Sequence, residues 1–476
     1  MKRVAIPLIL LLLAAFGSAC AADADGALTL ERIKAALNVR GDAQTLWPLL
    51  SVLSHGSSRE LTPKTLTLFD ESDLTVQSRL VVALIEQHSC ATETRKRIRA
   101  MLAAESAEAR EMAAEYYTWL GADADVADLE GAREFEQDPY VRAALIGAIK
   151  AIEYRRARFG STMSELLLAN STSVSVRPAT LENYVAMKKS VSVAAPGRDA
   201  LASALNFYWE SQKIEPASAE VISDPNAVTL LEQRYQLSQE LFAPSGATGR
   251  QNAYLDERKT PVADHWVPPI RDYFDPQRTS FGIYTGKAAA LFTDSYHAGD
   301  DCGWEQQLRT VVAIAPGLVR MVVCTPTWGH LVVIEHTLAD GGKICSLYGH
   351  LSPLLLVKPG DIVAAGEKIG SIGRNETIEN GGYTTHLHFG IHLSPFNFAR
   401  KNGDEIIVNV DRMRSSKGTV IQSDSNFAII EIPGNHMKYK LLNTAWVTGY
   451  LSPGDWEDGR HGWQDPQKFL HEKGGE

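Results

Sequence analysis

Positive charge is in short supply in this sequence: 47 lysines and arginines face 57 aspartates and glutamates, a formal net charge of −10. That balance excludes a broad electrostatic hold on nucleic acid or anionic lipid. Long apolar runs are also scarce. The run Val4–Phe16 is 13 residues, short of the roughly 20 that a membrane-spanning helix needs. Cysteine is rare, with Cys20, Cys90, Cys302, Cys324 and Cys345 the full set. What remains is an ordinary globular balance, 45% hydrophobic and 22% charged, in 476 residues, enough for two or three domains.

The short apolar run has a use of its own. Lys2 and Arg3 precede it, and Gly17, Ser18 and Ala19 follow, the layout of an export signal over residues 1–19. Cys20 after small residues also suits acylation of a lipoprotein, although Gly17 stands where such signals usually carry Leu. Cleavage near Ala19 or after Ala22 without a lipid is the other reading. Export to a periplasm or cell envelope is expected either way, with membrane attachment only if Cys20 is lipidated. In an oxidising compartment the four later cysteines can form one or two disulfides, in pairings that sequence does not choose. Cys302 suggests a disulfide beside Asp301, with a thiolate ligand or an inert buried thiol as alternatives.

Apolar residues at helical spacing (Leu28, Leu30, Ile33, Leu37; then Leu80, Leu84, Ile85) predict an all-α region over 26–155. Segments opening at Val76, Ala109 and Val141 recur 33 and 32 residues apart. Asp138-Pro139-Tyr140-Val141-Arg142 resembles the start of a HEAT-type repeat helix, with Pro in the first turn. A short HEAT-like solenoid and an irregular helical bundle both fit. Residues 156–270 form a helical and linker region, with helices expected at 200–212 and 227–241 and a linker signal at 243–249. After Thr279 the texture turns to short β-rich runs between Gly, Pro and Asp turns: Leu318–Cys324, Leu331–His336, Ile344–Leu347, Ile362–Val363 and Leu387–Ile391. The fold class expected is therefore multidomain, an N-terminal all-α part followed by a C-terminal antiparallel β domain over 279–476.

Ten of the thirteen histidines lie at or after His297. Two short elements stand out there, H-x-G-x-D at His297-Ala298-Gly299-Asp300-Asp301 and H-x-H at His386-Leu387-His388. Residues two apart on a strand share a face, so His386 and His388 address one space. Two imidazoles and a carboxylate from separate segments suit Zn²⁺, leave it net positive, and keep a fourth position open for water. Each motif is weak alone. The ordered set with Tyr348-Gly349-His350-Leu351 is much stronger.

With these residues in order, the region from Phe281 to Ile391 resembles the lysostaphin/LytM-type zinc peptidase family, which includes cell-wall endopeptidases. The resemblance runs through Phe281-Gly282, the H-x-G-x-D element, the strand Val332–His336, Tyr348–Leu351, Pro359–Val363 with Gly366–Gly370, and His386-Leu387-His388-Phe389. It covers about 110 residues. It implies zinc ligation, one ion per chain, by His297, Asp301 and His388. It also implies that His350 and His386 form the catalytic pair that orients water and shuttles the proton to the leaving amine. His336 matches the family too, and a structural role is expected for it. His330 and His392 read as ordinary polar positions, and Asp300 as a neighbour pointing away from the site.

The chain departs from the family in three places. The loop Gly373–Thr385 is longer and more acidic, Gly390 replaces a common Glu, and 394–462 is an unusual insertion with strand-like Glu405–Val410 and Phe427–Ile432. The family's D-P-x-x-F/Y-L ending returns at Trp463–Leu470. The expected function is a zinc metalloendopeptidase acting on peptidoglycan or its peptide stems. Two alternatives stand beside it: a non-catalytic wall-binding regulator of another hydrolase, and a peptidase acting on a protein chosen by the helical region.

Overall fold

In the computed structural model the described residues are 58–87, 89–159, 259–275, 279–284, 296–304, 306–325, 328–374, 380 and 383–396, short strands between 400 and 442, and 449–474 except 452 and 458. The export signal, the helix at 28–37 and the helices expected at 200–212 and 227–241 lie outside them. The chain forms two compact units, Met1–Ser89 and Cys90–Glu476.

The first unit contributes α1 (Ser58–Glu71) and α2 (Leu74–Glu86). Asp73 caps α2 by accepting the Val76 amide, 2.9 Å away. In the second unit α3 (Thr92–Met101), α4 (Ala107–Leu120), α5 (Val126–Phe135) and α6 (Pro139–Phe159) follow. Ser106 caps α4, and Asp138 accepts the amides of Tyr140 and Val141 ahead of α6, with Pro139 in the first turn where its missing N–H costs nothing. Helices α2, α4 and α6 open 33 and 32 residues apart, the period visible in the sequence.

The β part of the second unit is antiparallel throughout its named ladders. Its strands are β1 (Tyr296–His297), β2 (Asp300–Cys302), β3 (Thr310–Val312), β4 (Gly317–Thr325), β5 (Gly329–Thr337), β6 (Lys343–Leu351), β7 (Ile362–Val363), β8 (Lys368–Ser371) and β9 (Leu387–His392). Within 394–462 come β10 (Arg400–Asn402), β11 (Glu405–Ile407), β12 (Thr419–Asp424), β13 (Phe427–Glu431), β14 (Lys438–Leu442), β15 (Tyr450–Leu451) and α7 (Pro453–Glu457). The described chain closes on β16 (Trp463–Gln464) and α8 (Pro466–Glu472), capped by Asp465. The main sheet runs β16-β9-β6-β5-β4-β7, with β2 also on β9. Its central strands are apolar on both faces because both are covered. One side packs Tyr348, Phe389, Ile334 and Leu351 with Trp266, Ile270 and Tyr273. The other packs Trp328, Leu331, Leu347 and Trp463.

Two placements were not evident from sequence texture. The segment 259–275, assigned to a helical and linker region, belongs to the β core: Ala263 N donates to Thr337 O (2.7 Å) and Val267 N to Ile314 O (2.8 Å). And the stretch 394–462 returns to the sheet, since β15 pairs with β1 in the register His297↔Tyr450.

Candidate metal centre

Strand register assembles the site. Asp301 on β2 faces His388 on β9, and His388 also faces Gly349 on β6. His297 ends β1, two residues before β2 begins. The result is a triangle of donor atoms: His297 Nε2 to His388 Nδ1 is 3.0 Å, His297 Nε2 to Asp301 Oδ1 is 3.1 Å, and His388 Nδ1 to Asp301 Oδ1 is 3.1 Å. These three are the one metal-ligating group found among the described residues.

Glycine makes the approach possible. A Cβ on Gly299 would lie 2.5 Å from Phe389 O and 2.6 Å from His388 Nε2. The middle of H-x-G-x-D must therefore be bare for its flanking donors to reach H-x-H. Asp300 points away: its buried carboxylate accepts Tyr273 Oη (2.5 Å) and the Phe281 amide (2.9 Å). It acts as a structural tie.

Burial and charge at this point oppose each other. Burial pushes the Asp301 carboxyl up, but the facing imidazoles of His297 and His386 outweigh it and hold it well below the usual carboxylate range. Burial would lower His297, yet Asp301 more than reverses that. Burial carries His388 down to about 4. Two imidazole nitrogens and an ionised carboxylate, packed at 3.0–3.1 Å with their lone pairs converging, need a proton or a cation between them. Bonds of about 2.0–2.1 Å put tetrahedral ligands roughly 3.3 Å apart, so the donor set fits a small divalent ion.

The other two histidines stand beside the triangle. His386 Nδ1–H donates to Thr384 O at 2.6 Å, which turns Nε2 toward Asp301 Oδ1, 3.5 Å away. His350 Nδ1–H donates to Asn380 O at 2.8 Å. The two rings lie 4.5 Å apart. Burial, then the neighbouring His386 and His388 rings, hold His350 well below the ordinary imidazole range. It is neutral and able to accept a proton. His350 sits at φ 60, a left-handed conformation that costs a β-carbon residue energy. Its backbone is held on both sides, by Trp328 O accepting its amide and by the Gly373 amide donating to its carbonyl, each at 2.8 Å.

Aromatic rings that no motif announced line these imidazoles. Trp304 stacks on His386 (4.6 Å, 17°), Tyr383 packs on His350 (4.6 Å) and Tyr450 on His297 (5.2 Å). Trp328 lies against both His350 and His388. An aromatic two or three residues from a motif histidine was a usable signal for Trp304 and Tyr383. For Tyr450, 153 residues from His297 in sequence, there was none.

The remaining sequence expectations resolve as follows. His336 is structural, with Nδ1–H on Pro316 O (2.9 Å) and Nε2 beside Ser346 Oγ (2.8 Å). His330 and His392 are buried rather than ordinary surface polar residues, because β5 and β9 have both faces covered. Cys302 is a buried free thiol, as are Cys90 and Cys345. The disulfide expected beside Asp301 is absent, since β2 packs Cys302 into the apolar core with Ile270 and Phe389. The Cys324 side chain is outside the described residues. Gly390 replaces the family's Glu because the Trp463 ring lies over it, 2.8 Å from where a Cβ would be.

An antiparallel sheet presenting one His-Asp-His triangle with two flanking imidazoles defines the class as a metallopeptidase-type β domain. Residues 295–404 match the peptidase family M23, so this part of the chain is an M23 domain. A solved structure similar to this chain comes from Ruminococcus gnavus ATCC 29149 and is provisionally named a glycyl-glycine endopeptidase lytM. It is 19% identical over 51% of this chain and 90% of that one, with a TM-score of 0.17, too low to bear on the fold. No curated protein matches the chain.

Proposed function

We propose that the β domain is a zinc metalloendopeptidase that hydrolyses peptide cross-links of bacterial peptidoglycan. The observation carrying this reading is the donor triangle of His297, Asp301 and His388 with sides of 3.0–3.1 Å, flanked by two more imidazoles. Zinc held there supplies a Lewis acid that polarises the scissile carbonyl and acidifies water. His386 and His350 orient that water, donate to the developing oxyanion and carry a proton to the leaving amine. Both have Nδ1–H tied to a backbone carbonyl, which leaves Nε2 as the nitrogen that exchanges protons with substrate. Trp304 and Tyr383 keep the rings from turning.

We further propose that the protein works in the cell envelope. The signal-like start supports this, and membrane attachment would come only through acylated Cys20. Among the described residues no helix is long and apolar enough to cross a bilayer. The recurrence of α2, α4 and α6 fits HEAT-type helix pairs, a surface suited to a protein partner.

The test is incubation of the mature protein with peptidoglycan sacculi. Cross-link cleavage that stops with chelator and returns with zinc is the expected result. Release of no muropeptides, together with stimulation of a separate amidase, would replace this reading with a non-catalytic regulator. Cleavage of a protein but not of sacculi would keep the chemistry and change the substrate.

A further inference from the structure

Helix α4 carries two fully buried acids one turn apart, Glu111 and Glu115. A buried carboxylate is costly unless each oxygen is matched, and the matches here come from the β domain. Glu115 pairs with the equally buried Lys368 ammonium and accepts Ser371 Oγ (2.9 Å) and Trp119 Nε1 (3.0 Å). Glu111 accepts the Thr310 amide (2.8 Å) and the Arg271 guanidinium. Thr310 and Ser371 are partners in the β3–β8 ladder.

Ser371 begins a four-residue segment that ends at Arg374, whose guanidinium lies over the Trp119 ring at 5.7 Å. Helix α4 therefore grips both ends of 371–374. The middle of that segment supports the flanking histidines. Gly373 N donates to His350 O at 2.8 Å, and Gly373 O accepts Thr385 Oγ1, the residue before His386, at 3.2 Å. A Cβ at Gly373 would stand 2.5 Å from Asn380 Cβ and 2.6 Å from His350 O. Asn380 is the residue whose carbonyl holds His350 Nδ1.

We infer that α4 is part of the scaffold of the active centre and that Glu115 is a positioning residue. Through Ser371 and Gly373 it fixes where His350 and His386 stand. The left-handed backbone at His350 gives the brace its purpose. Such a residue relaxes unless its surroundings over-determine it, and Gly373 is one of its two backbone anchors. The helices from α3 onward are then an internal support of the site rather than a detachable targeting arm. This inference rests on the proposed role of the two imidazoles.

The experiment compares full-length Ser371→Ala, Glu115→Gln and a control, Arg110→Ala. The control breaks the Arg110–Glu136 pair (2.7 Å) within the helices. On a soluble cross-linked muropeptide, Ser371→Ala and Glu115→Gln are expected to keep one zinc per chain and a KM within about twofold, while kcat falls by about tenfold or more. Arg110→Ala lowers the melting temperature and leaves kcat alone. Hydrogen exchange gives a readout independent of turnover: the amides of His350 and Gly373 exchange about tenfold faster in the first two variants and unchanged in the control. Folded Ser371→Ala and Glu115→Gln with wild-type kcat and wild-type protection would overturn the brace. If Glu115→Gln does not fold, Ser371→Ala decides. If the wild type cleaves nothing, the proposed function fails, and the exchange arm alone judges the brace.

Discussion

Asp301 lies directly across the β2–β9 ladder from His388, with Oδ1 3.1 Å from the ring Nδ1. The pairing turns two distant motifs into one site: a single hydrogen-bonded register brings H-x-G-x-D and H-x-H together, and no loop has to be positioned for it. A one-residue slip would send either side chain to the opposite face of the sheet.

Removing a donor should remove the metal. Asp301→Asn and His297→Ala are expected to lose bound zinc, with affinity down more than about 100-fold, measured by metal analysis of the purified protein. Stoichiometric zinc in either variant would show that another donor set binds it.

Removing a flanking imidazole should separate binding from chemistry. His350→Ala and His386→Ala should retain one zinc while kcat falls by about 10²–10⁴. Metal content and turnover on the same preparation check this. Loss of zinc from both would make them ligands.

The glycine of H-x-G-x-D can be tested by adding one carbon. Gly299→Ala drives a methyl to within 2.6 Å of His388 Nε2 and 2.5 Å of Phe389 O. Neither neighbour is the end of a flexible chain, so β2 must move off β9. A loss of about 1–3 kcal/mol is expected, read from chemical denaturation, together with weakened zinc. Unchanged stability and zinc would mean that the ladder is more compliant than its register implies.

Acid sensitivity should track His336. Burial, the largest influence, holds this ring down at about 4, below its unfolded value of about 6.5. As pH falls below about 6.5 the unfolded chain takes up a proton that the folded ring refuses, so stability drops until about pH 4, where the folded ring also protonates. The full loss is on the order of 3 kcal/mol. Urea midpoints followed from pH 7 to pH 4 should fall less steeply in His336→Gln than in wild type. Parallel slopes would place the acid sensitivity in another group.

The β strands and five histidine and aspartate positions were legible because each is a local signal. Alternation marks β4, β5, β6 and β9 almost to the residue, and H-x-G-x-D, Y-x-H-L and H-x-H keep their chemistry within a few positions. What sequence hid is carried by long-range packing. Tyr450 reaches His297 only because β15 returns to β1. Trp266 and Tyr273 join the β core from a segment with linker-like texture. Glu111 and Glu115 look like exposed helix charges in a list of residues, and only the fold shows them buried against β3 and β8. Cys302 misled for a related reason, since a cysteine beside a ligand suggests a bridge while its burial in apolar surroundings makes it inert.

The spacing of the donors has a temporal consequence. His297 and Asp301 precede His388 by 91 and 87 residues, so a growing or translocating chain cannot close the triangle until His388 has emerged. An enzyme aimed at the wall would thus stay harmless throughout synthesis and passage. It would load its metal only at its destination, where zinc supply rather than a removable propeptide would decide when it switches on.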